Sequence, residues 1–265
     1  MARAAPAGRG GDYAAVILAY GDSPFLEGCL ASWAAQSRPV RLLVATSTPS
    51  PFIDAVAARF GVPVAVNPAG GGIAQDWNFG LTAGNARYVT LAHQDDVYDP
   101  KFAEATLAAF AAAPNAAACF TRYQEIDDAG APTASKISRI KGLIESTILG
   151  SRTTVRGARM RAYLSFGNPL PCSSVTFDRT RLPDFAFSTD LKSNLDWDAW
   201  LTLCQQGVTF ARVPARLVGR RHNELTETSR LIKSGRRGEE DLLMFRRLWP
   251  TPLAQLIAMA YRAGY

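Results

Sequence analysis

The chain has 265 residues, 48% of them apolar, which is material for one large core or two small ones. No apolar run reaches the roughly 18–20 residues of a membrane-spanning helix, and the Ala-rich stretch 103–120 is broken by Glu104, Pro114 and Asn115. The net charge of +6 is unevenly spread: residues 136–161 hold seven basic side chains and one acid, Glu145, and a second basic cluster spans 220–247. Such clusters are either solvated faces or attract anions such as nucleic acid, acidic lipid headgroups or phosphorylated substrates. Cys29, Cys119, Cys172 and Cys204 form no C-x-x-C pair, which speaks against zinc and a disulfide framework and suits a reducing cytoplasm. The opening MARAAPAGRGGD has no apolar signal core and reads as a short disordered leader.

From residue 13 to 120 strand and helix patterns alternate. Residues 13–20 form a β run, after which Ser23 or Asp22 can cap a helix with Pro24 in its first turn. Residues 40–46 make a second strand, 52–60 a helix and 62–66 a third strand. Gly70, Gly71 and Gly72 open a helix over 73–84, and 87–92 is a fourth strand. This rhythm predicts an α/β fold with a mostly parallel central sheet flanked by helices. Residues 121–170 are polar, basic and punctuated by glycine, which predicts at best short helices and a hairpin. Residues 172–177 read as a returning strand, and 194–207 as a helix capped by Asn194 or Ser193 and stopped by Gly207. Strands over 209–213 and 215–220 precede a helix pair around Trp249 and Pro250. No repeat or flexible linker divides the chain, so a single domain is expected.

In an open parallel sheet ligands gather at the carboxyl ends of the strands. Four polar features fall there: Tyr20-Gly21-Asp22, Thr46-Ser47-Thr48, the three glycines, and His93-Gln94-Asp95-Asp96. The glycines do not make a dinucleotide fingerprint, because Gln75 stands where its third glycine belongs. They give either a flexible turn or a helix N-terminus whose N–H groups face a phosphate or sugar. Asp95 and Asp96, directly after a buried strand, match the one or two carboxylates that Mg2+ or Mn2+ takes beside water and substrate phosphate; Asp99 before Pro100 reads as a helix cap. Asp196 and Asp198 lie in the first turn of a helix, where the macrodipole favours the ionised carboxylate a general base must be. Complementing the helix start would explain either equally well. Arg220, Arg221 and His222 in GRRHNELTETS are a diphosphate clamp or a surface loop.

Together these residues resemble the inverting glycosyltransferases of family 2, with the GT-A (nucleotide-diphospho-sugar transferase) fold. The likeness covers roughly residues 13–225 and is densest over GGIAQDWNFGLTAGNARYVTLAHQDDVYDP, close to that family's Asn-bearing helix, strand and D-x-D-D-like turn. It implies a leader over 1–12, a GT-A domain over 13–225 and a helical extension over 226–265, the domain dividing into a nucleotide-sugar half (13–120) and an acceptor half (121–225). It further implies Asp95 as ligand of Mn2+ or Mg2+, Asp96 supporting it or touching the donor sugar, and His93 at the ribose. Tyr20 falls in the base-contacting loop, with Thr46 and Asn78 along the donor site. Asp196 corresponds to the base, while Arg221 and His222 close over the diphosphate, His222 also reaching the metal. Three positions depart from the family pattern: ATST at 45–48 has no acid, Leu195 replaces a Glu, and His93 replaces an Asp.

The implied reaction is inverting, metal-dependent transfer of a sugar from a nucleotide-diphospho-sugar to a glycan or polyprenyl-diphosphate-linked saccharide, as in bacterial cell-envelope polysaccharide synthesis. It would run in the cytoplasm or at the inner face of the membrane, where residues 252–265 would form a surface helix or pack on the core. No nucleic acid partner is expected. A sugar-phosphate nucleotidyltransferase and a non-catalytic nucleotide-sugar-binding protein share this rim. The first usually shows a Gly-rich signature with Lys or Arg directly after strand one, which AYGDSPF lacks; the second could dispense with Asp196.

Overall fold

The structure, a computed structural model, describes residues 12–133, 135–221 and 236–262. The expected leader lies outside these residues except for Asp12, whose carbonyl accepts a hydrogen bond from Tyr88 N at 2.7 Å. The first half follows the expected alternation. It runs β1 (Tyr13–Ala19), α1 (Leu26–Ala34), β2 (Arg41–Thr46), α2 (Pro51–Arg59), β3 (Val64–Val66), α3 (Ile73–Ala83), β4 (Tyr88–His93), β5 (Val97–Tyr98) and α4 (Phe102–Ala112). The second half comprises β6 (Ala116–Ile126), β7 (Pro132–Thr133), α5 (Lys136–Leu149), β8 (Thr154–Val155), α6 (Gly157–Leu164) and a 3-10 turn (Cys172–Ser174). It continues through β9 (Val175–Asp178), α7 (Leu195–Gln205), β10 (Thr209–Arg221), α8 (Arg236–Arg246) and α9 (Thr251–Arg262).

One sheet runs through the molecule in the order β3-β2-β1-β4-β9-β6-β10-β5, with β7 on β6 and β8 on β10. The β3-β2-β1-β4 side is parallel, β9 inserts antiparallel between β4 and β6, and β10 runs parallel to β6. The reading YAAVILA of β1 follows from its place: helices cover both faces, so both sets of alternating side chains are apolar. Val16 and Leu18 enter one core with Leu91, Phe177, Trp197 and Trp200, while Tyr13, Ala15 and Ile17 enter the other with Trp33, Tyr98 and Phe102. Where β9 joins, Tyr13 Oη, Thr90 Oγ1 and Thr176 Oγ1 form a buried hydroxyl cluster with separations of 2.7–3.1 Å. Helix α3 approaches the sheet closely at Gly80, where a Cβ would stand 3.0 Å from Leu18 and Leu91.

Several local expectations are corrected. Helix α1 begins at Leu26, and neither Asp22 nor Ser23 caps it; Ser23 Oγ instead accepts from Phe25 N, while Asp22 accepts from Ser50 Oγ. Asp99 acts one turn ahead of α4, its carboxylate accepting from Lys101 N at 2.8 Å. Residues 121–170 are more regular than predicted: β6 runs on to Ile126, and α5 has 14 residues. Helix α5 packs Ile144, Ile148 and Leu149 on the core at helical spacing, and beside them Glu145 is bound to Arg212 and Arg122. The two strands expected over 209–220 are one, β10, with register shifts on either side of Arg216, where Pro214 and Ala215 interrupt the pairing.

Helices α8 and α9 pack on the domain, burying Met244, Phe245, Ala254 and Ala258 in the same core as Trp197. No helix among the described residues is long and apolar enough to cross a membrane.

Candidate active site

The carboxyl end of β4 pairs with β1, Leu18 opposite His93, and the adjoining turn gathers possible metal ligands. The ligand-capable atoms of His93, Asp95 and Asp96 lie within 4.8 Å of one another. Asp96 is 2% exposed; its Oδ1 accepts from Arg221 N at 3.0 Å, and its Oδ2 makes no hydrogen bond among the described residues, although the Ser173 hydroxyl, likewise unbonded, is near enough to lower its pKa. His93 Nε2 is also buried without a partner, and its ring lies 5.3 Å from that of Trp77. Burial, with the Asp95 charge adding, pushes the Asp96 carboxyl up to about 7, and burial pulls the His93 imidazole down. Burial therefore favours the neutral form of both groups. Two carboxylates and an imidazole with orphaned buried ligand atoms suit a divalent cation, which would supply the missing positive charge.

The rim beside this turn is tied by neutral side chains. Gln94 Oε1 accepts from Tyr20 N at 3.2 Å and its Nε2 donates to Tyr20 O at 2.9 Å, joining the loops after β1 and β4. This leaves the Tyr20 ring 60% exposed at the edge. Thr48 Oγ1 accepts from Gly21 N, and Thr46 Oγ1 accepts from Thr48 N. The sequence of this loop has no acid, but α3 supplies one: Asp76 accepts from Ser47 Oγ at 2.7 Å and from Asn67 Nδ2 at 2.8 Å. Gly70, Gly71 and Gly72 have φ of 57°, 101° and 115°, which only glycine adopts without strain. Asn78 uses both ends of its amide on the backbone of Phe187, at 2.9 and 2.7 Å.

On the other side, α7 presents the two candidate bases. Asp198 is ion-paired with Arg247. Asp196 keeps a freer carboxylate, with Oδ1 accepting from Trp197 N at 2.9 Å. Burial raises its pKa, while Arg237, the Trp197 N–H, Arg220 and Lys141 pull it back. The entry to α7 is gripped by Glu240 of α8, which accepts from Lys192 N, Ser193 N, Ser193 Oγ and Asn194 N at 2.7–3.0 Å. These bonds hold Glu240 below the usual carboxylate range although burial opposes it.

The two arginines ending β10 separate because successive strand residues face opposite ways. Arg221 is buried as a brace: Nε donates to Asp95 O at 3.0 Å, a terminal nitrogen donates to Asp127 O, and the guanidinium lies 4.4 Å from the Phe25 ring centroid. Arg220 lies over Tyr123 and is felt electrostatically by His93, Asp96, Lys141 and Asp196.

Of the residues singled out from sequence, His93, Asp95 and Asp96 come together, Tyr20 and Thr46 lie on the adjoining rim, and Asp196 lies in the first turn of α7. The side chains of Asn78 and Arg221 are occupied by the protein's own backbone. His222 lies outside the described residues. Asp76 is the residue that sequence reasoning missed, and Arg220, read there only as part of a clamp with Arg221 and His222, parts from its neighbour. Pleat alternation along β10 could have separated Arg220 from Arg221, whereas nothing local marks Asp76.

The family model described as glycosyl transferase family 2 matches residues 14–167. No curated protein matches the chain. Among solved structures, S. aureus TarS 1-349 in complex with UDP-GlcNAc is similar, with a TM-score of 0.63 at 11% identity over 93% of this chain and 70% of that one. The mannosyltransferase PcManGT from Pyrobaculum calidifontis, in complex with GDP-Man and Mn2+, gives 0.64 at 14% over 96% and 70%. Glucosyl-3-phosphoglycerate synthase from Mycobacterium tuberculosis, in complex with Mn2+, UDP and glucosyl-3-phosphoglycerate, gives 0.58 at 15% over 86% and 80%. At such identities these likenesses speak for the fold. With the family match spanning more than half the sequence, the chain belongs to glycosyl transferase family 2 and is a glycosyltransferase.

Proposed function

We propose that the protein transfers a sugar from a nucleotide-diphospho-sugar to a hydroxyl of a glycan or lipid-linked saccharide, with inversion and with the help of Mn2+ or Mg2+. One observation carries this reading: at the end of β4 the ligand-capable atoms of His93, Asp95 and Asp96 lie within 4.8 Å of one another, as a divalent ion on a diphosphate requires. Arg220, over the Tyr123 ring at the end of β10, would face a diphosphate held at that turn. The nucleotide sugars and Mn2+ named for the similar structures support the same donor and ion.

Asp196 acts ionised and takes the acceptor's hydroxyl proton on its carboxylate. As the freed oxygen bonds to the anomeric carbon, the bond from that carbon to the diphosphate oxygen breaks and its electron pair leaves with the diphosphate. A single displacement of this kind inverts the carbon. Burial makes Asp196 a stronger base than a solvated carboxylate. Arg220 takes up charge on the leaving diphosphate, the electrostatic contribution that is usually the largest in such sites. His93, Asp95 and Asp96 would hold the divalent ion, whose charge neutralises the diphosphate.

Incubation with UDP-, GDP- and TDP-sugars, with and without Mn2+, reads out both donor and metal dependence as diphosphate release. Asp196→Asn is expected to lower transfer by about 10²–10⁴-fold, the usual worth of general-base catalysis, with donor affinity unchanged. Lost donor affinity with undiminished turnover would overturn the role.

A further inference from the structure

A cavity of about 110 Å³ is lined by residues of β6 and α5, several times the space one water needs. Its wall carries four cations, Arg122, Arg139, Lys141 and Arg216, against two acids, Glu125 and Glu145. Both acids are already engaged: Glu145 by Arg122 and Arg212, and Glu125 by the Ser135 N–H. Arg216 donates to Gln124 Oε1 at 2.8 Å, leaving other guanidinium donors unused. Lys141 is half-buried and makes no hydrogen bond or ion pair with another described residue. Burial pulls its ammonium below the ordinary lysine range; Arg220 and Arg237 add to this, while Tyr123 and Asp196 oppose it. A recess with spare N–H donors and surplus positive charge is complementary to a tetrahedral oxyanion, which accepts but does not donate. Lys141 on the cavity wall is also within electrostatic reach of Asp196, which itself does not line the cavity.

We propose that this cavity is an anion subsite in which Lys141, Arg139 and Arg216 hold a phosphoryl group of the sugar acceptor. The assignment of that group to the acceptor rests on the reading of Asp196 as the base. Helix α5 also exposes Ile140 and Leu143, at 58% and 69%, so the phosphoryl group can belong to a soluble phosphate ester or to a lipid carrier; the recognition chemistry is the same.

Two arms test this on the full chain without donor: calorimetric titration with glycerol 1-phosphate, and sedimentation with phosphatidylcholine vesicles with or without phosphatidic acid. Binding is expected to weaken about tenfold in Lys141→Gln, the loss of one charge-assisted contact, and to recover in Lys141→Arg. Lys101→Gln, which removes the same charge from an exposed turn elsewhere, leaves binding unchanged. Arg139→Gln, at an exposed position, weakens it in the same direction and serves if Lys141→Gln does not fold. Binding confined to phosphatidic acid vesicles and weakened by these variants assigns the phosphoryl group to a lipid. No binding in either arm, or binding that the variants leave untouched, overturns the proposal. If Asp196→Asn retains transfer while Lys141-dependent binding persists, the base assignment fails and the anion site stands.

Discussion

The rim formed after β1, β2 and β4 is tied by neutral groups, whereas the opposite wall, formed by α5, α7 and β10, is tied by ions. On the first side Gln94 clasps the Tyr20 backbone, and Thr46 and Thr48 hold Gly21; the acids Asp22 and Asp76 there accept from neutral hydroxyl and amide groups. On the second, Glu145 lies between Arg122 and Arg212, and Glu240 sits on the start of α7. Neutral ties are individually weak, with little to lose when one is removed. Buried ions are high-stakes, because removing one partner strands the other. The cations that pull the Asp196 carboxyl back, Arg237, Arg220 and Lys141, are a different set from those that brace the wall.

The contrast is broken most severely at Glu145. Glu145→Gln leaves Arg212, 5% exposed, without its counter-ion, and is expected to lower unfolding free energy by roughly 3 kcal/mol or more, read as a lower denaturation midpoint at unchanged slope. Glu240→Gln comes next. It weakens a four-bonded anion at the entry to α7 and should lose about 1.5–3 kcal/mol, with turnover falling more than donor affinity because Asp196 is displaced. A subtler test is the pH profile. The proposed base Asp196 would work ionised, and its pKa is raised by burial, so activity is expected above that raised value and to be lost as pH falls through it. The acidic limb of kcat/KM should accordingly lie above the ordinary carboxylate range and vanish in Asp196→Asn. The smallest effect is expected on the neutral side: Gln94→Ala removes two exposed hydrogen bonds, worth about 1 kcal/mol together, and should raise the donor KM with kcat nearly unchanged.

This difference between the walls also explains which parts of the molecule were legible in the sequence. The neutral half announces itself through apolar runs, amphipathic helices and glycine punctuation, and β1 to α4 appear in the order expected. The turn after β4 was readable because two aspartates directly after a buried strand are unusual company. Helix α5 was obscured by its cations and by Gly142 and Gly150, although Ile140, Ile144 and Ile148 recur at helical spacing. The choice between Asp196 and Asp198 could not be made locally either; the partner that occupies Asp198, Arg247, is 49 residues away in sequence. Asp76 was invisible for a similar reason. Its importance comes from Ser47 and Asn67, which reach it from two other loops.

The irregular pairing around Pro214 sets the phase of the last residues of β10. A strand alternates its two faces residue by residue, so the count of residues through an irregularity decides which of two neighbours points where. Beyond it, Arg221 lies under the turn after β4 as a brace and Arg220 is left to the opposite face, over Tyr123. Deleting one residue in the irregular stretch would move the second arginine into the first one's place and hand the brace position to His222. Two identical side chains, adjacent in the chain, thus owe their different roles to a counting device several residues upstream.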